Sequence, residues 1–294
     1  MTLTRTIHAP RELVWEVWTN EKHLQHWWGP KGFTNPVCDW KVKEGNKLLV
    51  HMKGPDGMVY PMDGQFIEVK KPERLVFISA ALDGNGQRLF EVMNTVTFTE
   101  KDGDTEIVLH ASVSNIRSEG AHYLEGMNAG WNQSIDKLER YSTSENRELI
   151  IERVLNAPQQ LVWDAWTQAG HLAKWYGPNG FTITTHSIDL SEGGVWKYVM
   201  HGPDGRDYAN KIEFLEVVKP EKLVYKHSDD DPNLEPVSFS TTVTFEKMGQ
   251  QTKVTMHSVF GSAEELINVS RVYNAVEGGH QTIGRLQVLV EGMA

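Results

Sequence analysis

The chain is written twice. Ala9-Pro10 returns as Ala157-Pro158, and at the same offset of 148 Trp15 meets Trp163 and Trp18 meets Trp166. His23-Leu24 meets His171-Leu172, Trp27-Trp28-Gly29-Pro30 meets Trp175-Tyr176-Gly177-Pro178, and Gly32-Phe33 meets Gly180-Phe181. Gly54-Pro55-Asp56-Gly57 and Lys71-Pro72-Glu73 repeat as Gly202-Pro203-Asp204-Gly205 and Lys219-Pro220-Glu221. The offset slips to 147 at Val96-Thr97-Phe98, which meets Val243-Thr244-Phe245, and returns to 148 for Gln133 against Gln281. A solenoid repeats every 20–50 residues, whereas a period near 148 is the size of a whole domain. Two domains are therefore expected, residues 1–143 and 147–294, joined by the polar stretch Ser142–Arg147.

Composition narrows the functional classes. The chain carries a net charge of −10, split as 17 basic against 20 acidic residues up to Arg147 and 12 against 19 beyond it. That balance disfavours nucleic acid and anionic lipid as partners, since both attract a basic face. No apolar run approaches the roughly 20 residues of a membrane span, and Met1–Pro10 lacks the apolar stretch of a signal peptide. The single cysteine, Cys38, excludes an intrachain disulfide and a multi-cysteine zinc site, so a reducing, cytoplasmic setting is the expectation.

Each copy has one pattern of elements. An alternating strand, Leu3–His8 in the first copy, leads through Pro10 into a helical stripe of Leu13, Val14, Val17 and Trp18. A second short helix carries Leu24, Trp27 and Trp28 and ends at Gly29-Pro30. About six antiparallel strands follow, with Asp-Gly turns among them, and then one long amphipathic helix, roughly Glu119–Tyr141. Strands followed by a helix imply α+β layering. One helix laid across a curved sheet leaves a space, and aromatic-lined spaces bind ligands.

The candidate binding residues are those expected to face that space. Trp27 and Trp28, and their counterparts Trp175 and Tyr176, offer flat apolar area with one polar handle each. Period two puts Trp196, Tyr198 and Met200 on one inward face, and on the next strand Phe77 and Tyr225 face inward with Ser79 and His227. The long helix contributes Tyr123 and Trp131. His51 and His201 are expected to point outward, while the faces of His110 and His257 stay open. Trp15, Trp18, Trp163 and Trp166 read as core. No metal site is expected: His23-x-x-His26 has helical spacing, but the second copy has Lys174 at the second position. No G-x-S-x-G elbow or phosphate-binding glycine loop appears, so no catalytic residue and no cofactor are assigned. Asp229-Asp230-Asp231 reads as a solvated loop.

Taken together, A-P-x-x-x-V-W-x-x-W-T, H-L-x-x-W-[WY]-G-P-x-G-F, G-P-D-G and K-P-E-[RK]-L-V resemble the SRPBCC or START-like superfamily, and within it the AHSA-type family named for the activator of the heat-shock-protein-ninety ATPase. The resemblance covers both copies. It implies two tandem helix-grip domains, each a curved antiparallel sheet with two short helices and a long C-terminal helix. Gly130-Trp131-Asn132-Gln133-Ser134 matches the family's helix motif, whereas Gly278-Gly279-His280-Gln281-Thr282 lacks the tryptophan, so any pocket there should differ in shape. Stand-alone members resemble binders of small hydrophobic molecules. The family name implies a chaperone partner and a stress-response role, although the separate chaperone-binding domain of the eukaryotic co-chaperone has no counterpart in the two copies. Some superfamily relatives are cyclases or hydrolases. Three readings follow: a binder of a small hydrophobic or aromatic molecule, a co-chaperone-like interaction protein, and a cavity-based enzyme.

Overall fold

The computed structural model describes residues 1–229 and 237–294. The chain divides into two compact units, Met1–Asn146 and Arg147–Ala294. The first runs β1 (Thr2–Ile7), α1 (Arg11–Thr19), α2 (Glu21–Trp27), β2 (Thr34–Asp39), β3 (Lys47–Lys53), β4 (Val59–Lys70), β5 (Arg74–Leu82), β6 (Arg88–Lys101), β7 (Asp104–Ser114), α3 (Ala121–Glu125) and α4 (Met127–Arg140). The second repeats that order as β8 (Glu148–Leu155), α5 (Gln159–Thr167), α6 (Ala169–Trp175), β9 (Thr182–Ile188), β10 (Val195–His201), β11 (Asp207–Val218), β12 (Lys222–Asp229), β13 (Ser238–Met248), β14 (Gln251–Phe260), α7 (Ala263–Tyr273) and α8 (Ala275–Glu291).

Each unit has one seven-stranded sheet, ordered β1-β7-β6-β5-β4-β3-β2 and β8-β14-β13-β12-β11-β10-β9. All pairings are antiparallel. The sheets bend at matched places. The β4–β5 register shifts between Phe66 and Glu68, and the β11–β12 register shifts between Phe214 and Glu216, again 148 residues on. An extra residue on one strand kinks it and strengthens its twist. The extra residues, Ile67 and Leu215, are turned out to solvent, so Phe66 and Phe214 stay on the inner face.

The short helices are clamped to each other through backbone. Trp27 Nε1 donates to Val17 O at 3.1 Å, and Trp175 Nε1 donates to Ala165 O at 2.9 Å. Both indoles have no exposed surface, so each bond satisfies a donor that would otherwise be stranded in the core. Asn20 separates α1 from α2 by accepting from Lys22 N, as an N-cap does.

Three features differ from expectation. The strands β2 and β9 were not anticipated; β2 contains Asn35, Pro36 and Asp39, poor strand formers tolerated because this strand is the sheet edge. The long C-terminal helix is divided. In the first unit it is interrupted at Gly126, and in the second Asn274 adopts φ 50°, a left-handed conformation that asparagine tolerates better than most residues. The join is also no exposed tether. Tyr141–Glu145 form a π-helical turn, and Ser142 and Asn146 are buried. Of the aspartate run, Asp230 and Asp231 lie outside the described residues.

A capping box starts α7. Ser262 Oγ accepts from Glu265 N at 3.1 Å, and the Glu265 carboxylate reaches back to Gly261 N at 2.8 Å. Ser262→Ala is expected to lower stability by about 1 kcal/mol, read as a shift in the urea midpoint, with Ser262→Asp largely restoring it.

Candidate functional site

The second unit holds a cavity of about 180 Å³ between the concave face of its sheet and the α7–α8 pair. Its floor is built by period two: Tyr198 and Met200 on β10, Asn210 on β11, Tyr225 and His227 on β12, Phe239 and Thr241 on β13, and Met256, Ser258 and Phe260 on β14. Val269 of α7 and Ala275, Gly279 and Thr282 of α8 supply the roof, with Tyr176-Gly177-Pro178 at the rim. None of the described residues lining it is Asp, Glu, Lys or Arg.

The rim is held in place by a cation that does not enter the cavity. Arg285 Nη1 donates to Gly177 O at 2.8 Å, Pro178 O at 2.8 Å and Phe181 O at 3.0 Å. Lys137, at the aligned position in the first unit, donates to Trp28 O and Gly29 O at 3.4 and 3.2 Å. Both tie the C-terminal helix to the turn that ends the second short helix.

Two polar networks line the otherwise apolar wall. The first is a chain of hydroxyls: Tyr176 is hydrogen-bonded to Tyr198 and to Tyr225, and Tyr225 to Thr241. The hydroxyls of Thr241 and Ser258 lie 2.8 Å apart. Burial raises the pKa of both Tyr176 and Tyr225, so both phenols stay protonated.

The second network fixes the tautomer of His227. Asn210 Nδ2 donates to Tyr208 O at 2.8 Å, which leaves Asn210 Oδ1 facing His227 Nε2 at 2.8 Å. An amide oxygen can only accept, so Nε2 carries the proton. The ring stacks on Phe239 at a centroid distance of 4.7 Å and an interplanar angle of 21°, and Phe239 stacks in turn on Phe260. Nδ1 is buried without a hydrogen-bond partner among the described residues. Burial pushes the imidazole pKa down to about 4, so the ring is neutral at pH 7 and Nδ1 presents a bare lone pair.

This predicts a pH dependence of stability. An unfolded histidine titrates near 6.5, so between pH 6.5 and 4 the unfolded chain binds a proton that the folded one refuses. The associated stability is fully present above pH 6.5 and is lost as pH falls toward 4. Its upper limit is about 3 kcal/mol, reduced to the extent that the cavity admits water. His227→Phe is expected to flatten that share of the fall when urea midpoints at pH 7 and pH 4.5 are compared.

In the first unit the corresponding space is packed with aromatic rings. Trp131 of α4 lies nearly parallel to Trp18, at 6.5 Å and 13°, and edge-on to Trp28, at 5.2 Å and 82°. Trp28 also meets Trp27, Trp40 and Phe77 at 5.6, 5.0 and 6.2 Å. The residue aligned with Trp131 is Gly279, in the roof of the second cavity. Its missing side chain leaves room for Ile151, whose Cδ1 a Cβ there would meet.

The structure therefore distributes the sequence candidates unevenly. Tyr176, Tyr198, Tyr225 and His227 come together around the cavity, and Trp166, expected as core, lines it as well. Trp175 is buried in the core of the second unit and Trp27 in that of the first, and Trp196 stacks behind Tyr198 at 4.2 Å with its indole N–H on Thr185. Trp28, Phe77 and Trp131 belong to the packed cluster of the first unit. Tyr123 stands at the surface of α3, 43% exposed, because the break at Gly126 separates it from the helix carrying Trp131. His201 is held on the outer face by Thr184 and Asp207. His110 and His257 are also turned away from the interior, bonded to Thr2 and Glu148. Asn210, Thr241, Ser258 and Gly279 were missed. Comparing the copies would have found three of them: Met62, Ala111 and Trp131 become Asn210, Ser258 and Gly279, a consistent change from apolar or large to polar or small. No group of three or more His, Cys, Asp or Glu among the described residues could hold a metal ion. No helix among them is long and apolar enough to cross a membrane.

Sheet, short helix pair and C-terminal helix define each unit as an α+β helix-grip domain of the START-like type, here with an interior cavity in the second. A family model described as activator of Hsp90 ATPase homolog 1-like protein matches residues 8–143 and again 156–291. The chain belongs to that family and carries its domain in tandem. Among solved structures, protein Ms6760 from Mycobacterium smegmatis is 27% identical over 49% of this chain and 90% of its own, with a TM-score of 0.44. Protein CV1439 from Chromobacterium violaceum is 26% identical over 49% of this chain and 97% of its own, with a TM-score of 0.44. A protein from Arthrobacter aurescens is 24% identical over 50% of this chain and 88% of its own, with a TM-score of 0.48. No curated protein matches the chain.

Proposed function

We propose that this protein binds a small molecule, that the second unit is the binding unit, and that the first is a packed domain of the same fold without an equivalent site. The observation that carries this reading is Trp131 against Gly279: one helix position fills the interior of the first unit and roofs a cavity in the second. The cavity's polar groups suit recognition better than chemistry. His227 is paired with an amide rather than a carboxylate, so it has no partner among the described residues to stabilise an imidazolium, and the buried tyrosines are held protonated. Native mass spectrometry of the freshly purified full chain is expected to show one retained molecule per chain. Absence of any retained molecule, with no thermal shift across a library of uncharged aromatic and lipid-like compounds, overturns the reading. A chaperone contact is the second reading, carried by the family description. It predicts a change in a heat-shock chaperone's ATPase rate on adding the full chain, and an unchanged rate disposes of it.

A further inference from the structure

The cavity's size, charge and unfilled hydrogen bond together narrow the class of molecule it takes. This rests on the reading of the second unit as the binding unit.

Size comes first. A cavity of about 150 Å³ holds a benzene molecule, so about 180 Å³ accommodates one aromatic ring with one or two small substituents. Charge comes second. Among the described residues no lining side chain carries a formal charge, Arg285 is spent on backbone carbonyls of the rim, and His227 is neutral. A charged group bound there would have no counter-ion among the described residues, which costs several kcal/mol. Shape comes third: the rings of Tyr176, Tyr198, Tyr225, Phe239 and Phe260 form much of the wall, and ring faces and edges favour a flat partner.

The remaining polar requirement is directional. The hydroxyls of Tyr176, Tyr225, Thr241 and Ser258 are already engaged with one another, and His227 Nε2–H is engaged with Asn210. His227 Nδ1 is left as a buried acceptor with no partner among the described residues. Such an atom favours a ligand that donates to it and discriminates against one that cannot. Stacking on Phe239 holds the ring so that the lone pair keeps one direction.

We infer that the cavity's ligand is an uncharged molecule built on a single aromatic ring and bearing a hydroxyl or N–H group that donates to Nδ1 of His227.

Four probes of similar size separate the requirements: p-cresol, toluene, p-methylanisole and p-toluate, titrated into the full chain and followed by calorimetry or ligand-observed NMR. p-Cresol is expected to bind about five- to tenfold more tightly than toluene or p-methylanisole, the ratio one net hydrogen bond provides, and p-toluate is expected not to bind. In His227→Phe combined with Asn210→Met, which carries the first unit's residue at position 62, the preference for p-cresol should disappear while toluene still binds. Equal binding of p-cresol and p-methylanisole overturns the donor requirement, as does a p-cresol preference that survives in the double variant. Binding of p-toluate overturns the exclusion of charge. If none of the four binds while native mass spectrometry shows another retained molecule, the single-ring class is wrong and the binding function stands. If none binds and nothing is retained, both fall.

Discussion

Gly279→Trp combined with Ile151→Leu is expected to abolish ligand binding in the second unit, lowering affinity by at least about 100-fold, or about 2.7 kcal/mol. The pair rebuilds what the first unit already has. Gly279 aligns with Trp131 and Ile151 with Leu3. Gly279 alone cannot take a side chain without displacing Ile151 Cδ1, so the second change gives that neighbour the branching of the first unit's Leu3. An indole from α8 would then enter the interior from the roof, as Trp131 does against Trp18 and Trp28. A cavity of about 180 Å³ has no room for both an indole and a ligand ring, because interiors pack to near-crystalline density. Calorimetric titration with the retained ligand, or with p-cresol, reads the result. Undiminished binding in a folded double variant would place the ligand elsewhere. The fold should survive, because the same pair of residues is accommodated in the first unit.

Trp175→Ala is expected to destabilise the second unit by about 3–5 kcal/mol, a large part of the 5–15 kcal/mol typical of a whole domain. Trp175 is fully buried, and its ring meets Trp166 and Tyr176 at 4.9 and 5.3 Å. Truncation leaves a void beside Trp166 and Tyr176 and strips Ala165 O of its 2.9 Å partner. Trp175→Phe keeps most of the volume but not the donor, so its cost should fall to about 1–3 kcal/mol. Urea unfolding of the full chain, followed by tryptophan fluorescence and far-UV circular dichroism, separates the two. Equal losses for both variants would mean that the hydrogen bond, not the packing, holds α5 to α6. Trp27→Ala is the matching change in the first unit, where Trp27 donates to Val17 O.

Much of the architecture was legible because it is periodic and repeated. The alternation along β10 put Tyr198 and Met200 on one face without any knowledge of the sheet, and the pair Phe77/Tyr225 followed in the same way. The helix pair was legible from its proline start and Gly-Pro end. The edge strand β2 was not, because Asn35, Pro36 and Asp39 carry little strand propensity and are held there by pairing with β3 alone. The interruption at Asn274 was also hidden, since the apolar spacing continues across it and only the left-handed backbone divides the helix.

The candidate site divides along the same line. That His227 faces inward followed from its spacing to Tyr225. That its Nε2 is protonated and its Nδ1 bare depends on Asn210, seventeen residues away in sequence and brought to a diagonal position by the β11–β12 pairing. By itself the sequence determined that two copies of one fold are present, because a 148-residue offset held through insertions requires each copy to bury its own core. That the second copy holds a cavity was decided only by the tertiary structure. A missing side chain at Gly279 makes a cavity only if neighbouring groups do not collapse into it, and that depends on how rings on five different strands and helices meet in space.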